Sequence, residues 1–463
     1  MGVNMGSNYV CAGFETIGAI VKKFLTCDRF DDHFTVEGIS QFFSQTCNKY
    51  LHSFGQNFRE RKNYSKYIAS EVRMFNICHD LGIFKESEFL VDSGGFQISV
   101  GLLSKDQMKS LFELYHTFLI DHKDIYDRAF VLDIPPGPGC KVYSHYDEVY
   151  TRNKESYLFA SNLPQEVKDK MIYIHHFRTP KLWEIYTKIM DENDLFNQFN
   201  YHATGGIVAN QSSDVIIPCI IYILPLIPLL NRAIKYGRTR LDFHILGGAT
   251  YRDILFYEFF KIHVMNKHGI DLSITYDSST IFKGLMVGRH LYVLENEVVR
   301  KLDVREAKLG WRFKDDVKVI DKYRNSVREM SDEYGFKPVA MDEIYCPDSG
   351  TFHYENRVYS VLYMLYFYAK VEQLMKEKVA KIYPLYESEN FEDFGTALNG
   401  LTRDVNNGKI TRKQTSKCQS LYKSLDMLTN LDEDYCQFIV DKFLAKDEFT
   451  DLLGGDGVIK FGT

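Results

Sequence analysis

Residues Glu88-Phe-Leu-Val-Asp-Ser-Gly-Gly-Phe-Gln97 join an apolar run to a pair of glycines, the local pattern of a strand that ends in a tight turn. The run Phe89-Leu-Val91 predicts a short buried strand that brings Asp92 to its C-terminal end. Ser93-Gly94-Gly95 predicts a tight turn, because adjacent glycines accept positive φ and let a ligand approach the backbone. Parallel-strand α/β proteins place their chemistry at such strand ends. The competing interpretation is an ordinary turn in which Asp92 caps the next helix.

Further apolar runs follow along the chain at intervals of roughly 30 to 45 residues, the spacing of repeated βα units. They are Ala129–Leu132, Met171–Ile174, Tyr201–Ala203, Phe243–Leu246 and Leu272–Tyr276, preceded by weaker candidates at Tyr9–Phe14 and His33–Ile39. We therefore predict the α/β class, as a (β/α)8 TIM barrel with an appended, mostly helical C-terminal region. An open doubly wound sheet is the alternative, but no Gly-x-Gly-x-x-Gly follows the first strand as dinucleotide binding would require.

The chain is predicted to divide into a barrel over residues 1–300 and a C-terminal region over residues 301–463. Helical spacing of apolar residues predicts one helix over Tyr64–Leu81 within the barrel. The highly charged segment Asp315–Tyr334 and the aromatic-rich segment Val358–Val379 predict two more helices in the second region. That region is a candidate for nucleic-acid contact.

Composition limits the class of protein. The 463 residues are 45% hydrophobic and 25% charged, as in ordinary globular proteins. The net charge of -6 does not suit a chain coated by nucleic acid, so a polynucleotide would have to meet local basic patches. The nine cysteines form no CxxC pair, which is typical of reduced thiols in the cytosol. The longest apolar run, Val215–Leu230, is interrupted by prolines and too short for a bilayer, so we expect a cytoplasmic protein without membrane contact.

Each of the six runs from Phe89-Leu-Val91 to Leu272–Tyr276 is followed by a group that can carry chemistry. These groups are Asp92, Asp133, His175-His176, Gly205-Gly206, Gly247-Gly248 and Asp277. Because the C-terminal ends of barrel strands meet on one face, residues far apart in sequence become neighbours there. Helix capping or a simple turn is the competing role at Asp133, Gly205-Gly206 and Asp277.

The letters Asp92-Ser-Gly-Gly-Phe-Gln97 resemble the signature of the tRNA-guanine transglycosylase family, whose members exchange guanine for a 7-deazaguanine base in a polynucleotide. The resemblance implies that Asp277, in Ile274-Thr-Tyr-Asp-Ser-Ser-Thr280, is the nucleophile and that Asp92 is the acid/base. It implies that Asp133, in Val131-Leu-Asp-Ile-Pro-Pro136, accepts hydrogen bonds from the guanine edge. The further base-binding positions that it implies are Ser93, Gly94, Gly95, Gln97, Gly205 and Gly206. Where the family usually has a Gln after its fifth strand, this chain has His175-His176; we expect one of them to replace that amide as a donor to the base, and the competing role is to fill the barrel mouth.

Such an exchange needs two carboxylates with different tasks. The C1′–N bond breaks through an oxocarbenium-like transition state, so one carboxylate attacks C1′ while the second group moves protons for the departing and arriving bases. The target base must also leave its stack to be read along its edge.

The chain departs from the family where tRNA would be held. Of the expected zinc ligands, only Cys346 and His353 lie near the right place, which is too few for a structural zinc. No arginine occurs between Ser278 and Phe282, after the expected nucleophile. The chain is therefore more similar to the transglycosylases of phages and genomic islands that insert 7-deazaguanines into DNA. The resemblance implies preQ0 or preQ1 as the base substrate and the host cytoplasm as the location if a phage encodes the protein. Because the zinc ligands are missing and the chemistry needs no Lewis acid, we expect no cofactor and no zinc.

Four basic residues, one shortly after Asp277 and three in the C-terminal region, are candidates for contact with the nucleic-acid backbone. We expect Lys283, Arg403, Arg412 and Lys413 to contact phosphates, although a solvated surface loop explains the last three nearly as well.

Two alternative functions stay open. The first is a tRNA-guanine transglycosylase that has lost its zinc site, and the second is a non-catalytic nucleic-acid-binding subunit. Retention of both Asp92 and Asp277 argues against the second, because a binding subunit needs no nucleophile. The sequence does not predict the oligomeric state.

Overall fold

The fold is built around a closed barrel of parallel strands. The computed structural model describes residues 8–12, 17, 35–55, 58, 64–80, 87–99, 101–136, 145–176, 179–205, 222–248, 251–277, 290–295, 298–307, 310–313, 317–336, 345–346, 351–352, 354–388, 428 and 430–443. The barrel strands are β1 (Tyr9–Ala12), β2 (Lys49–Ser53), β3 (Glu88–Asp92), β4 (Arg128–Phe130), β5 (Met171–His176), β6 (Tyr201–Gly205), β7 (Arg240–Ile245) and β8 (Asp271–Asp277). Each pairs with the next in chain order, and β8 closes on β1 with Val10 opposite Asp277. The predicted (β/α)8 TIM barrel is confirmed.

The barrel interior is filled by one small side chain cluster. Its members come from six successive strands and are Val10, Leu51, Leu90, Phe130, Ile172, Ile174 and Ala203. Because side chains alternate along a strand, every second residue of each strand faces this interior and its neighbours face the helices. Asp92, His176 and Asp277 continue the inward-facing rows of β3, β5 and β8, so their side chains face the interior of the barrel.

Helices surround the barrel and continue beyond it. The helices that lie between the barrel strands in sequence are α1 (Val36–Thr46), α2 (Tyr64–Asp80), α3 (Gly95–Ser99), α4 (Lys105–Asp121), α5 (Tyr146–Ser161), α6 (Gln165–Lys168), α7 (Pro180–Glu192), α8 (Leu195–Gln198), α9 (Leu226–Lys235) and α10 (Tyr251–His268). The later helices are α11 (Val317–Tyr334), α12 (Tyr354–Glu387) and α13 (Glu433–Phe443). Some helix starts are capped by a side chain: Thr35 caps α1, Thr179 caps α7, and Ser104 and Gln107 form a capping box at α4.

Helix α12 covers the seam where the barrel closes. It packs against α10, and its buried Glu372 accepts hydrogen bonds from the backbone of Asn8, before β1, and from the Tyr276 hydroxyl of β8. The C-terminal region thus supplies part of the helical coat of the barrel. None of the helices within the described ranges is long and apolar enough to cross a membrane.

Two features differ from the sequence-based expectation. Residues His33–Ile39 were expected to form a strand, but Thr35 caps helix α1, whose Ile39, Phe42 and Phe43 are buried along one face. The second barrel strand is instead β2, the short segment that follows that helix. An antiparallel sheet of β9 (His290–Glu295), β10 (Val298–Ala307) and β11 (Gly310–Phe313), with the small pair β12 (Tyr345–Cys346) and β13 (Thr351–Phe352), interrupts the helical C-terminal region.

Candidate active site at the C-terminal mouth of the barrel

Three carboxylates lie at the C-terminal ends of barrel strands. Asp92 ends β3, Asp133 follows β4 and Asp277 ends β8. Asp133 and Asp277 are buried, with 3% and 8% of their surface exposed, and Asp92 is partly buried. The folded chain therefore brings together the three acids that the sequence predicted, and each is held by different partners.

The surroundings of Asp92 perturb the protonation of its carboxyl group. The strand register places Ser53 beside it, and the Ser53 hydroxyl donates a hydrogen bond of 2.8 Å to Asp92 Oδ2. The pKa of the Asp92 carboxyl is raised to about 6, first by burial and then by repulsion from Asp133, with a smaller contribution from Asp277. Hydrogen bonds from Ser53 and from the Gly94 N–H oppose that shift. A carboxyl group with this pKa can both hold and release a proton near neutral pH.

The glycines after Asp92 allow two close approaches of the chain. Gly94 has a φ of 97°, and a Cβ there would lie 2.6 Å from the Cα of Gly55, in the turn after β2. A Cβ on Gly95 would collide with the carboxylate of Asp133. The turn after β3 thus lies directly against the second acid of the site, which a larger residue would prevent.

Asp133 is bound on both carboxylate oxygens by this chain. The Ser93 hydroxyl donates to Oδ1 at 3.1 Å, and His176 Nε2 hydrogen-bonds to Oδ2. An ionised carboxylate only accepts, so Nε2 carries the proton of that hydrogen bond. His176 Nδ1 is buried and has no hydrogen-bond partner.

Three other residues predicted to bind the base are Gly205, Gly206 and Gln97. A Cβ on Gly205 would lie 2.8 Å from His176 Cε1, so Gly205 makes room for the imidazole ring. Gly206 lies outside the described residues. The side-chain oxygen of Gln97 is buried close to Gly94 without a hydrogen-bond partner. His176 and Gln97 thus leave two unpartnered polar atoms near the acids, of the kind that a ligand satisfies.

His175 does not join the carboxylates. It lies on the outward face of β5, where its ring packs 5.3 Å from that of Trp183 and also contacts Tyr186, both in α7. The pKa of His175 is lowered to about 3, first by burial and then by the charge of Arg232. Strand alternation explains the split of the pair: of two adjacent histidines, only His176 can face the barrel mouth.

Asp277 is held by two donors that both reach the same oxygen. Asp277 Oδ1 accepts the Gly247 N–H at 2.9 Å and lies 3.4 Å from His244 Nε2. Gly247 has a φ of 84°, so the turn after β7 depends on a glycine at this position. The His244 ring is in turn held through Nδ1, which lies 3.0 Å from Thr275 Oγ1.

Sequence reasoning missed Ser53, His244 and Thr275. His244 lies on the inward face of β7, two residues before Leu246, and this alternation is a signal that the sequence does contain. Ser53 and Thr275 become partners of the site only through the register of neighbouring strands. Lys283, Arg403, Arg412 and Lys413 lie outside the described residues.

Metal ligands do not gather in the part of the chain that the structure describes: no three His, Cys, Asp or Glu side chains are arranged there to hold an ion. Cys346 is in β12, and His353 lies beyond the described ranges.

The fold and the site define a (β/α)8-barrel protein with a carboxylate-rich mouth at the C-terminal ends of its strands. Comparisons of the chain with models of protein families, with curated proteins and with solved structures give no match. The resemblance to the transglycosylases therefore stays a prediction, which depends on the quoted motif and on the residues around the three acids.

Proposed function

We propose that this chain is a base-exchange transglycosylase, a pentosyltransferase that replaces guanine in DNA with a 7-deazaguanine of the preQ0 or preQ1 type. The observation that most supports this proposal is that Asp92 and Asp277, two acids at the C-terminal mouth of the barrel, have different surroundings. Asp92 has a pKa of about 6, whereas Asp277 accepts the Gly247 N–H and faces His244 on a single oxygen. Two carboxyl groups in different environments are what an acid/base and a nucleophile require.

The reaction proceeds in two balanced steps. An Asp277 oxygen bonds to C1′ of the guanosine nucleotide while the C1′–N9 bond breaks, and protonated Asp92 gives its proton to N9 of the departing guanine. The incoming 7-deazaguanine then gives its N9 proton to Asp92 and attacks C1′, which releases Asp277. Neither step needs a Lewis acid, so we expect no cofactor and no zinc.

Recognition of the base falls to the residues around Asp133. Its carboxylate is fixed by Ser93 and His176, and each carboxylate oxygen retains a lone pair for an N–H of the guanine edge. The unpartnered Gln97 oxygen and His176 Nδ1 are further contacts for the base. DNA is favoured over tRNA by the missing zinc ligands and by the absence of arginine after Asp277.

Release of labelled guanine from duplex DNA and, separately, from tRNA tests this function in wild type and Asp277→Asn. We expect release from DNA that falls at least about 1,000-fold in the variant, because the nucleophile is lost. Asp332→Asn, an exposed acid on α11, is the matched control and should behave as wild type. Release of guanine from tRNA alone would show instead that the chain is a tRNA-guanine transglycosylase that has lost its zinc site. Release from neither would favour the non-catalytic binding subunit.

A further inference from the structure

The two oxygens of the Asp277 carboxylate differ in their surroundings. Among the residues that the structure describes, both groups that hydrogen-bond to this carboxylate, the Gly247 N–H and His244 Nε2, reach Oδ1 and none reaches Oδ2. The side chain keeps 11% of its surface accessible. One oxygen is therefore anchored, and the other is available to a ligand in the barrel mouth.

His244 is itself fixed on three sides. Its Nδ1 lies 3.0 Å from Thr275 Oγ1, directly opposite in the register of β7 and β8. Its ring makes a T-shaped contact with the ring of Phe130, with 5.3 Å between ring centres, and only 2% of the residue is exposed. Because an ionised carboxylate only accepts, His244 must donate through Nε2 whether the ring is neutral or charged. Thr275 and His244 thus form a chain that ends on Asp277.

We propose that His244 is a positioning residue for Asp277, and that Oδ2 is the oxygen that attacks C1′. This inference rests on the proposed function. When the Oδ2–C1′ bond forms and the C1′–N9 bond breaks, Oδ1 becomes the carbonyl oxygen of the ester and still accepts from Gly247 and His244. When the incoming base breaks that ester, the same two donors stabilise the charge that returns to the carboxylate.

Two substitutions of His244 separate this role from a structural one. In His244→Gln the side-chain amide nitrogen reaches the place of Nε2, so the donor to Asp277 is kept. In His244→Asn the polar atoms reach only as far as Nδ1, so the contact with Thr275 is kept and the donor to Asp277 is lost. Thr275→Val keeps the shape of the threonine and removes its hydroxyl, so the His244 ring loses the hydrogen bond at Nδ1 that fixes its orientation.

The readout is the single-turnover rate of guanine release from the polynucleotide that wild type uses, together with KM. We expect His244→Asn to slow release by about 10- to 100-fold with KM changed by less than about 3-fold, since one donor to a charged group is lost. His244→Gln should stay within about 5-fold of wild type, and Thr275→Val should fall between the two.

Other results would overturn the inference. A His244→Asn rate equal to that of wild type would show that the donor is not used. Equal losses in the Gln and Asn variants, with lower thermal stability in both, would reduce His244 to a packing residue. A wild-type protein that releases guanine normally while His244→Asn is unaffected refutes this inference alone. A wild type that releases no guanine from DNA or tRNA refutes the proposed function and, with it, this inference.

Discussion

Asp92→Asn is expected to make the protein more stable at pH 7.5 while it slows base exchange by about 100- to 10,000-fold. The raised carboxyl pKa means that ionised Asp92 is disfavoured in the folded state. Ionisation of Asp92 lowers the free energy of unfolding. This destabilisation is absent below the unfolded pKa near 4 and is fully present above about pH 6, where it reaches roughly 2–3 kcal/mol. Asparagine removes the charge and can still accept the hydrogen bond from Ser53.

Thermal unfolding at pH 7.5 and at pH 4 measures this effect. The melting temperature of Asp92→Asn should exceed that of wild type by a few degrees at pH 7.5, and the difference should shrink towards pH 4. The exposed acid Asp332 provides the control, and Asp332→Asn should give no such gain. A variant that is less stable than wild type at pH 7.5 would show that the Asp92 carboxylate holds the fold together.

The folded protein is expected to lose about 4 kcal/mol of stability between pH 7.5 and pH 5 through two buried histidines. His175 and His202 lie on the outward faces of β5 and β6, and their ring nitrogens have no hydrogen-bond partners. Burial, reinforced by the positive charge of arginines, lowers the pKa of both to about 3. In the unfolded chain both histidines take up protons below about pH 6.5. The free energy of unfolding is therefore not reduced by them above that pH, and it falls as the pH drops below it.

Denaturant unfolding at the two pH values tests this expectation with His175→Leu and His202→Leu. Each substitution should reduce the pH-dependent loss by about 2 kcal/mol, because the unfolded state then binds one proton fewer. His145, whose side chain is 61% exposed, provides the control, and His145→Leu should leave the pH dependence unchanged. Equal pH dependence in wild type and in both buried-site variants would contradict the account of these residues.

The sequence predicts the barrel because its strands are buried on both faces and recur with βα spacing. The runs around Val91, Phe130 and Ile274 belong to expected strands, and the acids that follow them meet at one end of the barrel as the fold class predicts. The sequence does not predict the second strand, because Lys49–Ser53 is short and follows a helix whose Thr35 cap lies inside His33–Ile39, the segment whose pattern favours a strand.

The partners of the acids were harder to predict, because they depend on strand register. Nothing in the local sequence says that Ser53 lies opposite Asp92 or that Thr275 lies opposite His244. The choice between His175 and His176 depends on which face of β5 turns inward, and that face is set by the neighbouring strands. His244 was passed over because it lies within an apolar run, where a histidine is usually a core residue.

Asp277 is expected to form a covalent bond to the nucleotide, and mass analysis of the denatured protein after reaction can detect that bond. Wild type and Asp277→Asn are incubated with the guanine-containing polynucleotide without an incoming base, quenched with denaturant and analysed by intact mass. We predict a protein–polynucleotide adduct in wild type, located on the peptide that contains Asp277, and none in the variant. An adduct of equal yield in Asp277→Asn, or guanine exchange by wild type without any adduct, would contradict the account.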